Sequence, residues 1–484
     1  MDNTREETLD PGDWTAAREV AHRAVDDAIA HLGGVRERPS WRQPPPEVHA
    51  FFTSPLPQEP EAIAKVYDAV LEFVRPYPMG NIHPRFWAWF MGASNFTGAL
   101  GDFLAAVDGS NLGGGNTAPA LLDRQVVAWL REMVGMPQSA SGTLTSGGSA
   151  ANLVALTVAR NAKAGVDVRA EGIAAMPKPL RFYASEQVHS CHQKALEILG
   201  LGYKALRLVP TDAQFRIDIA ALEAAIADDR AHDIEPAAVI ASAGTVNTGA
   251  VDDLQAVGAV CRREGLWFHV DGCIGALLRI APANRHLVAG IEAADSVALD
   301  PHKWLHAPFE AGCALVRDAR LHYGTFALHP EYLEAHPRGV AGAEYLFDYG
   351  IELSRGFKAL KVWMALKEHG AMKFGRLIDQ NVAQAQYLAG LVRAEPRLEL
   401  MAPAPINIVC FRHRLPGASE PALKTFNTEI MLRLQEAGTA TLSDTTLLGR
   451  HSLRVAIANH RTRQADLDLL VDELLRVGAE LQRR

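Results

Sequence analysis

The chain has 484 residues, 48% of them hydrophobic and 21% charged, the make-up of a globular protein long enough for more than one domain and a sizeable core. A formal net charge of −8 excludes the basic footprint of a nucleic-acid or anionic-membrane binder. No apolar run approaches the roughly 18 residues of a membrane helix, the opening "MDNTREETLD" is polar and acidic, and the five cysteines lack C-x-x-C spacing, so a soluble cytoplasmic protein without a disulfide framework or metal site is expected.

At the N-terminus Trp14, Ala17, Val20, Ala21, Ala24, Val25, Ala28, Ile29 and Leu32 recur at helical spacing until Gly33-Gly34 stops the helix. "RPSWRQPPPEV" (38–48) then predicts an extended, proline-fixed connector. Residues 1–80 therefore read as a helical arm, suited either to wrapping a partner subunit or to packing on its own chain. Residues 81–350 alternate helical stretches with short apolar strands, at 181–185, 237–244, 266–272, 296–299 and 313–318. Strands separated by helices imply parallel pairing with right-handed crossovers, and ligands of such sheets bind at the carboxyl ends of the strands. Beyond Ser354 long helices enclose strand candidates at 406–414 and 453–459, which predicts a smaller α+β domain over 351–484.

Three features of the large domain carry chemistry. "DPHKW" (300–304) places Lys303 between an imidazole and an indole just past a strand. A lysine in such a loop ordinarily sends its ammonium to water, but a partly desolvated one becomes a nucleophilic amine able to form a Schiff base. Asp271 ends the strand "LWFHVDG" (266–272), where it could equally cap a turn. "TSGGSAANL" (145–153) is a turn opening an apolar-periodic helix, in which Gly147 and Gly148 let backbone N–H groups approach an anion and Ser149 adds a hydroxyl. An amine, a carboxylate and a phosphate cradle at strand ends are the set that pyridoxal 5'-phosphate requires: one holds the aldehyde carbon, one keeps the ring nitrogen protonated, one takes the phosphate.

Taken together, "HPRFW" (83–87), "SGGSAANL" (146–153), "SEQVHSC" (185–191), "HVDG" (269–272), "DPHKW" (300–304) and "SRGFKALKVW" (354–363) resemble the group II pyridoxal-phosphate-dependent amino-acid decarboxylases, the family of aromatic L-amino acid and glutamate decarboxylases. The resemblance runs from about Asn81 to the C-terminus. It implies pyridoxal-phosphate fold type I, an aspartate aminotransferase-like α/β architecture with a large, mostly parallel sheet domain and a small C-terminal α+β domain. It also implies a homodimer with the active site at the interface. Lys303 matches the family's Schiff-base lysine, Asp271 its ring-nitrogen partner, and Ser149 with Gly147 and Gly148 its phosphate cup. Thr245 and His302 fall at positions lining the cofactor. His189, in "HSC", matches the imidazole that stacks on the ring, and His192, one helical turn later, reads as structural. Tyr332, in the Pro- and Gly-bearing loop 327–340, matches the tyrosine that returns a proton to the substrate carbon after carbon dioxide leaves. Arg355 matches an arginine near the substrate entrance.

Several positions depart from the family pattern. Asp300 replaces an asparagine, which would set an acid near the phosphate. Phe86, Trp87, Trp89 and Phe90 suit an apolar substrate side chain, with Trp89 the expected substrate contact. Gly92, however, stands where aromatic decarboxylases carry a threonine, and Asn111 and Gly113 replace apolar walls, which would widen the pocket or admit a polar side chain. The expected reaction is decarboxylation of an L-amino acid to an amine. Decarboxylation coupled to oxidative deamination, aldol-type cleavage of a β-hydroxy amino acid, and a cofactor-binding regulator without turnover stay open. The intact Lys303, Asp271, His189 and Tyr332 speak against the regulator.

Overall fold

The computed structural model describes residues 7–328 and 336–483. Seven strands form one sheet: β1 (Ser141–Thr145), β2 (Leu180–Ser185), β3 (Leu206–Val209), β4 (Glu235–Ser242), β5 (Trp267–Asp271), β6 (Ser296–Leu299) and β7 (Gly312–Val316), in the spatial order β1-β7-β6-β5-β4-β2-β3. Pairing is parallel from β6 through β3, as helix-separated strands require, but β7 runs antiparallel to both β1 and β6. The connection from β6 to β7 holds only the four-residue helix Pro301–Trp304, too short for the crossover that a parallel return needs. Two strands escape the apolar signal: β1 reads "SGTLT" and β3 is four residues long.

Helices cover both faces. Along β4, Val239 and Ala241 face the core that holds the helix Ala118–Val134, while Ala238 and Ile240 face the helix Gly148–Lys163. This two-residue alternation explains why these strands read as continuous apolar runs, since neither face meets water. A second, antiparallel sheet orders β10 (Ser443–Leu447), β11 (Arg450–Ala456), β9 (Ile408–His413) and β8 (Leu398–Leu400), packed under the helices Glu420–Glu436 and Gln464–Gln482. After residue 351 the helix Lys358–His369 and the first part of Ala371–Ala394 pack into the large core through Ala359, Val362, Phe374 and Ile378, and from Ala385 onward the chain joins the small core. Trp87 crosses the other way and lies, fully buried, in the small core.

The N-terminal helix spans Trp14–Gly33 with Asp13 as its cap, and buries none of its residues. The proline connector is extended only to Pro45; Pro46, at the first helical position where its missing N–H has no role, opens the helix Pro46–Phe51. No described helix is long and apolar enough to cross a membrane.

One close helix crossing rests on a glycine. A Cβ on Gly101 would lie 2.8 Å from Lys361 Cα, where the helix Phe96–Asp108 crosses Lys358–His369. Gly101→Val should therefore force the helices apart and lower unfolding free energy by about 2 kcal/mol or more, read from chemical denaturation; an unchanged midpoint and slope would show that the crossing yields freely.

Candidate active site

The carboxyl ends of β4, β5 and β6, the turn after β1 and the segment after β2 converge on a cavity of about 410 Å³. Its wall includes Trp89, Phe90, Gly147, Gly148, Ser149, His189, Thr245, Asp271, His302 and Lys303, so ten positions singled out in the sequence share one space. A larger cavity of about 530 Å³ lies at Trp129, Glu132, Arg279 and Lys367; none of the residues singled out in the sequence lines it.

Asp271 is the last residue of β5 and projects on the same face as His269 and Trp267, toward the helices Gly148–Lys163 and Cys191–Ile198. Its Oδ1 accepts the Cys273 N–H at 3.1 Å and its Oδ2 accepts the His192 Nε2–H at 2.8 Å. Burial opposes the charge, but the His192 donor and the Cys273 amide hold the carboxyl well below the usual range. Burial likewise opposes a charged His192, yet the Cys191 sulfur and Asp271 push it up to about 10, and the two histidines bring the Cys191 thiol down to about 7. Beneath this pair, His269 donates from Nε2 to Asn152 Oδ1 at 2.8 Å, and burial, with the nearby His192, brings it down to about 3 and holds it neutral.

Lys303 sits on the short helix after β6, its Nζ 2.9 Å from Asp300 Oδ2 and 5.6 Å from the centre of the Phe90 ring. Desolvation alone would lower its proton affinity, as the sequence suggests, but the Asp300 carboxylate outweighs it and raises the lysine above its ordinary value. The acid that replaces asparagine is thus the partner of the ammonium, not a charge left alone beside the phosphate loop. His302 donates from Nδ1 to the Ala311 carbonyl at 2.7 Å, which turns its ring edge toward Gly147.

Gly147, at φ +143°, precedes the sixteen-residue helix Gly148–Lys163. A Cβ on Gly148 would meet Cys273 Sγ at 2.4 Å, and one on Gly312 would meet the Gly147 backbone at 2.5 Å. Only glycines let the turn lie this close to β7, with the unpaired N–H groups of the helix start facing the cavity. His189, exposed in the turn after β2, accepts the Cys191 N–H on Nδ1 at 3.1 Å, and the Cys191 side chain raises its proton affinity against burial. Thr245 is buried, its hydroxyl 3.0 Å from that of Thr248. An amine, an ionised carboxylate and a helix-start cradle on one cavity fit pyridoxal phosphate.

Other expectations fare differently. Arg355 is not on this cavity: its guanidinium donates to the Leu112 and Leu144 carbonyls at 3.0 Å and is buried beside Asp123. Gly92 does not widen the pocket, because a Cβ there would lie 1.5 Å from the His302 carbonyl oxygen; the chain backbone itself fills that space. Asn111 and Gly113 pack on residues 353–355 rather than on the cavity. Tyr332 lies outside the described residues. Sequence reasoning missed His192 as a partner of Asp271, and Arg454, whose Nη1 holds the Trp89 carbonyl at 3.1 Å and so fixes the aromatic wall from β11. The "HSCH" run carried a signal for the first, an extra imidazole beside the expected one; nothing in the sequence marked the second.

The comparisons agree with this chemistry. Residues 45–414 match the pyridoxal-dependent decarboxylase conserved domain. The chain is 32% identical to an aromatic-L-amino-acid decarboxylase of Bacillus atrophaeus over 466 residues, 93% of each chain, and 28% identical to the phenylacetaldehyde synthase of Arabidopsis thaliana, covering 96% of each. It superposes on the crystal structure of Oryza sativa TDC with PLP and tryptamine with a TM-score of 0.90 at 28% identity, covering 98% of this chain and all of that one. The fold and cavity define a pyridoxal-phosphate enzyme of fold type I. The chain belongs to the pyridoxal-dependent decarboxylase family, and it is a carboxy-lyase acting on an amino acid.

With Asp271 as the partner of the ring nitrogen, Asp271→Asn should still take up cofactor but lose turnover by about a hundredfold or more, because the charge-assisted bond strengthens as the reacting centre gains electrons. Steady-state carbon dioxide release checks this; a variant within about threefold of the parent would remove the ring-nitrogen role from Asp271.

Proposed function

We propose that the protein removes the α-carboxylate of an aromatic L-amino acid as carbon dioxide and releases the amine, working as a cytoplasmic homodimer. The observation that carries this reading is the meeting of Lys303 and Asp271 on one cavity walled by Trp89 and Phe90. When bound, pyridoxal phosphate supplies an aldehyde that takes the substrate amine and a protonated ring that accepts the electron pair left by the departing carboxylate.

The chain's own residues do the rest. Lys303 supplies the amine that anchors the cofactor carbon, and Asp300 holds that ammonium in place beforehand. Asp271 keeps a proton at the ring nitrogen. Gly147, Gly148 and Ser149 receive the phosphate at the helix start, with Thr245 and His302 completing the wall. His189, over the cavity, keeps the ring flat and presents an imidazole to the reacting face. Trp89 and Phe90 favour an apolar, planar side chain and displace water from the reacting centre. Tyr332 is assigned the return of a proton to the substrate carbon, which yields the amine.

An aldehyde product is the second reading, favoured by the likeness to a phenylacetaldehyde synthase; a phenol that delivers its proton promptly opposes it. The homodimer is supported by apolar surface without cover in one chain: Phe96, Phe103, Leu104 and Val107 on the helix Phe96–Asp108, and Val25 and Ile29 on the N-terminal helix. Five free, buried cysteines suit a reducing compartment.

Incubation with L-tryptophan, L-tyrosine and L-phenylalanine should release carbon dioxide and amine in equal amounts. Tyr332→Phe should retain substrate binding yet shift product toward aldehyde and ammonia, with one dioxygen consumed and one hydrogen peroxide released per aldehyde. Aldehyde as the main product of the parent enzyme, or amine formed at an undiminished rate by the variant, would overturn the role given to Tyr332.

A further inference from the structure

His192 was expected to be a structural residue one turn beyond the stacking histidine. Its place argues for more. It lies in the first turn of the helix Cys191–Ile198, wholly buried, on the face of the sheet from which Asp271 projects. Its Nε2 is 2.8 Å from Asp271 Oδ2, while Oδ1 is taken by the Cys273 N–H. A carboxylate only accepts, so Nε2 carries the hydrogen whatever the charge of the ring. Among the described residues no partner meets His192 Nδ1 at ordinary hydrogen-bond distance, while the Cys191 thiol interacts with the ring from its own helix, so the close contact that ties the ring to the sheet is the one to Asp271.

We propose that His192 is a positioning residue, whose Nε2–H fixes the orientation of the Asp271 carboxylate and keeps it ionised so that it can hold a proton on the cofactor ring nitrogen. A carboxylate at a strand end can rotate about its Cα–Cβ and Cβ–Cγ bonds. Two donors in fixed places, one on each oxygen, remove that freedom and leave the remaining acceptor sites turned to the cavity. They also decide which side keeps the proton. A buried carboxyl stripped of a donor gains proton affinity, and a neutral carboxyl holds no pyridinium. Other charged or ionisable groups act on the same carboxylate: Lys303 across the cavity, and the Cys191 and Cys273 thiols beside it. Among the described residues, His192 is the side chain that reaches this carboxylate at 2.8 Å, with Cys273 beside it. Division of labour between the two histidines of "HSCH" follows, with His189 over the cavity and His192 behind the carboxylate. This inference rests on the assignment of Asp271 to the ring nitrogen.

The test loads the full-length enzyme with pyridoxal phosphate labelled with nitrogen-15 in the ring and follows the ring-nitrogen shift from about pH 6 to about pH 9. The forms compared are the parent, His192→Gln, whose amide can donate from a similar reach, His192→Leu, which cannot donate, and Asp271→Asn. The parent and the Gln variant should show a protonated ring throughout. The Leu variant should lose ring protonation toward the alkaline end, with kcat lowered about tenfold to a hundredfold, the usual range for a residue that orients a ligand-binding group, and KM little changed. A ring that stays protonated in the Leu variant, or that loses its proton equally in the Gln variant, overturns the proposal. An unchanged shift in Asp271→Asn would instead overturn the assignment of Asp271, and the proposal with it. Independently of any variant, histidine-labelled parent enzyme must show His192 Nε2 carrying a hydrogen; a bare Nε2 there also overturns it.

Discussion

The architecture depends on keeping charge buried at the ends of two neighbouring strands. Asp271 closes β5, and Asp300 with Lys303 follows β6; because β5 and β6 are paired with Asp271 beside Ala298, both charged groups open onto the same cavity. An isolated ion in such a place would shift its proton equilibrium until it became neutral. Here each charge has a partner: His192 and the Cys273 amide for Asp271, Asp300 for Lys303. The polar layer continues inward, from Trp267 to Ser296, from Ser296 to His269 and from His269 to Asn152, each link 2.8 Å. Nothing in this layer is free to relax without leaving another buried group unpaired, which is how the fold holds reactive groups still.

The rest of the molecule serves that layer. Helix Gly148–Lys163 brings its open N-terminus to the cavity and supplies Asn152 from its second turn. The small sheet reaches across through Arg454 and Ser443, which hold the backbone of Trp89. Trp89 itself has a φ of +55°, an unusual conformation for an indole-bearing residue that turns the side chain to the cavity while the next residue, Phe90, packs edge-on against Trp304. The aromatic wall is therefore a joint product of both sheets, although the sequence shows it as one short run.

Much of this was legible in the residues. The buried strands β2, β4, β5, β6 and β7 announce themselves as apolar runs, and glycines, an aspartate and a lysine at their ends point to the cavity. What stayed hidden is what depends on partners distant in sequence. β1 reads Ser-Gly-Thr-Leu-Thr, with Gly142 required because Leu315 of β7 and Val127 press on it, so it shows only one large apolar residue. Arg355 resembles a substrate residue in its motif, yet the carbonyls that claim it belong to residues 112 and 144. Gly92 reads as added space because a missing side chain looks like room, when the His302 carbonyl already occupies it. Asp300 reads as a misplaced acid until its ammonium partner, one helical turn on, is seen.

The central claim is that Lys303 is the amine that binds the cofactor. Borohydride reduction of the loaded enzyme followed by peptide mass mapping tests it most directly. The reduced pyridoxyl group should lie on the peptide that contains Asp300 to Trp304, at Lys303 and on no other lysine. A label on a different lysine, or an enzyme that binds the cofactor with no reducible linkage, would contradict it.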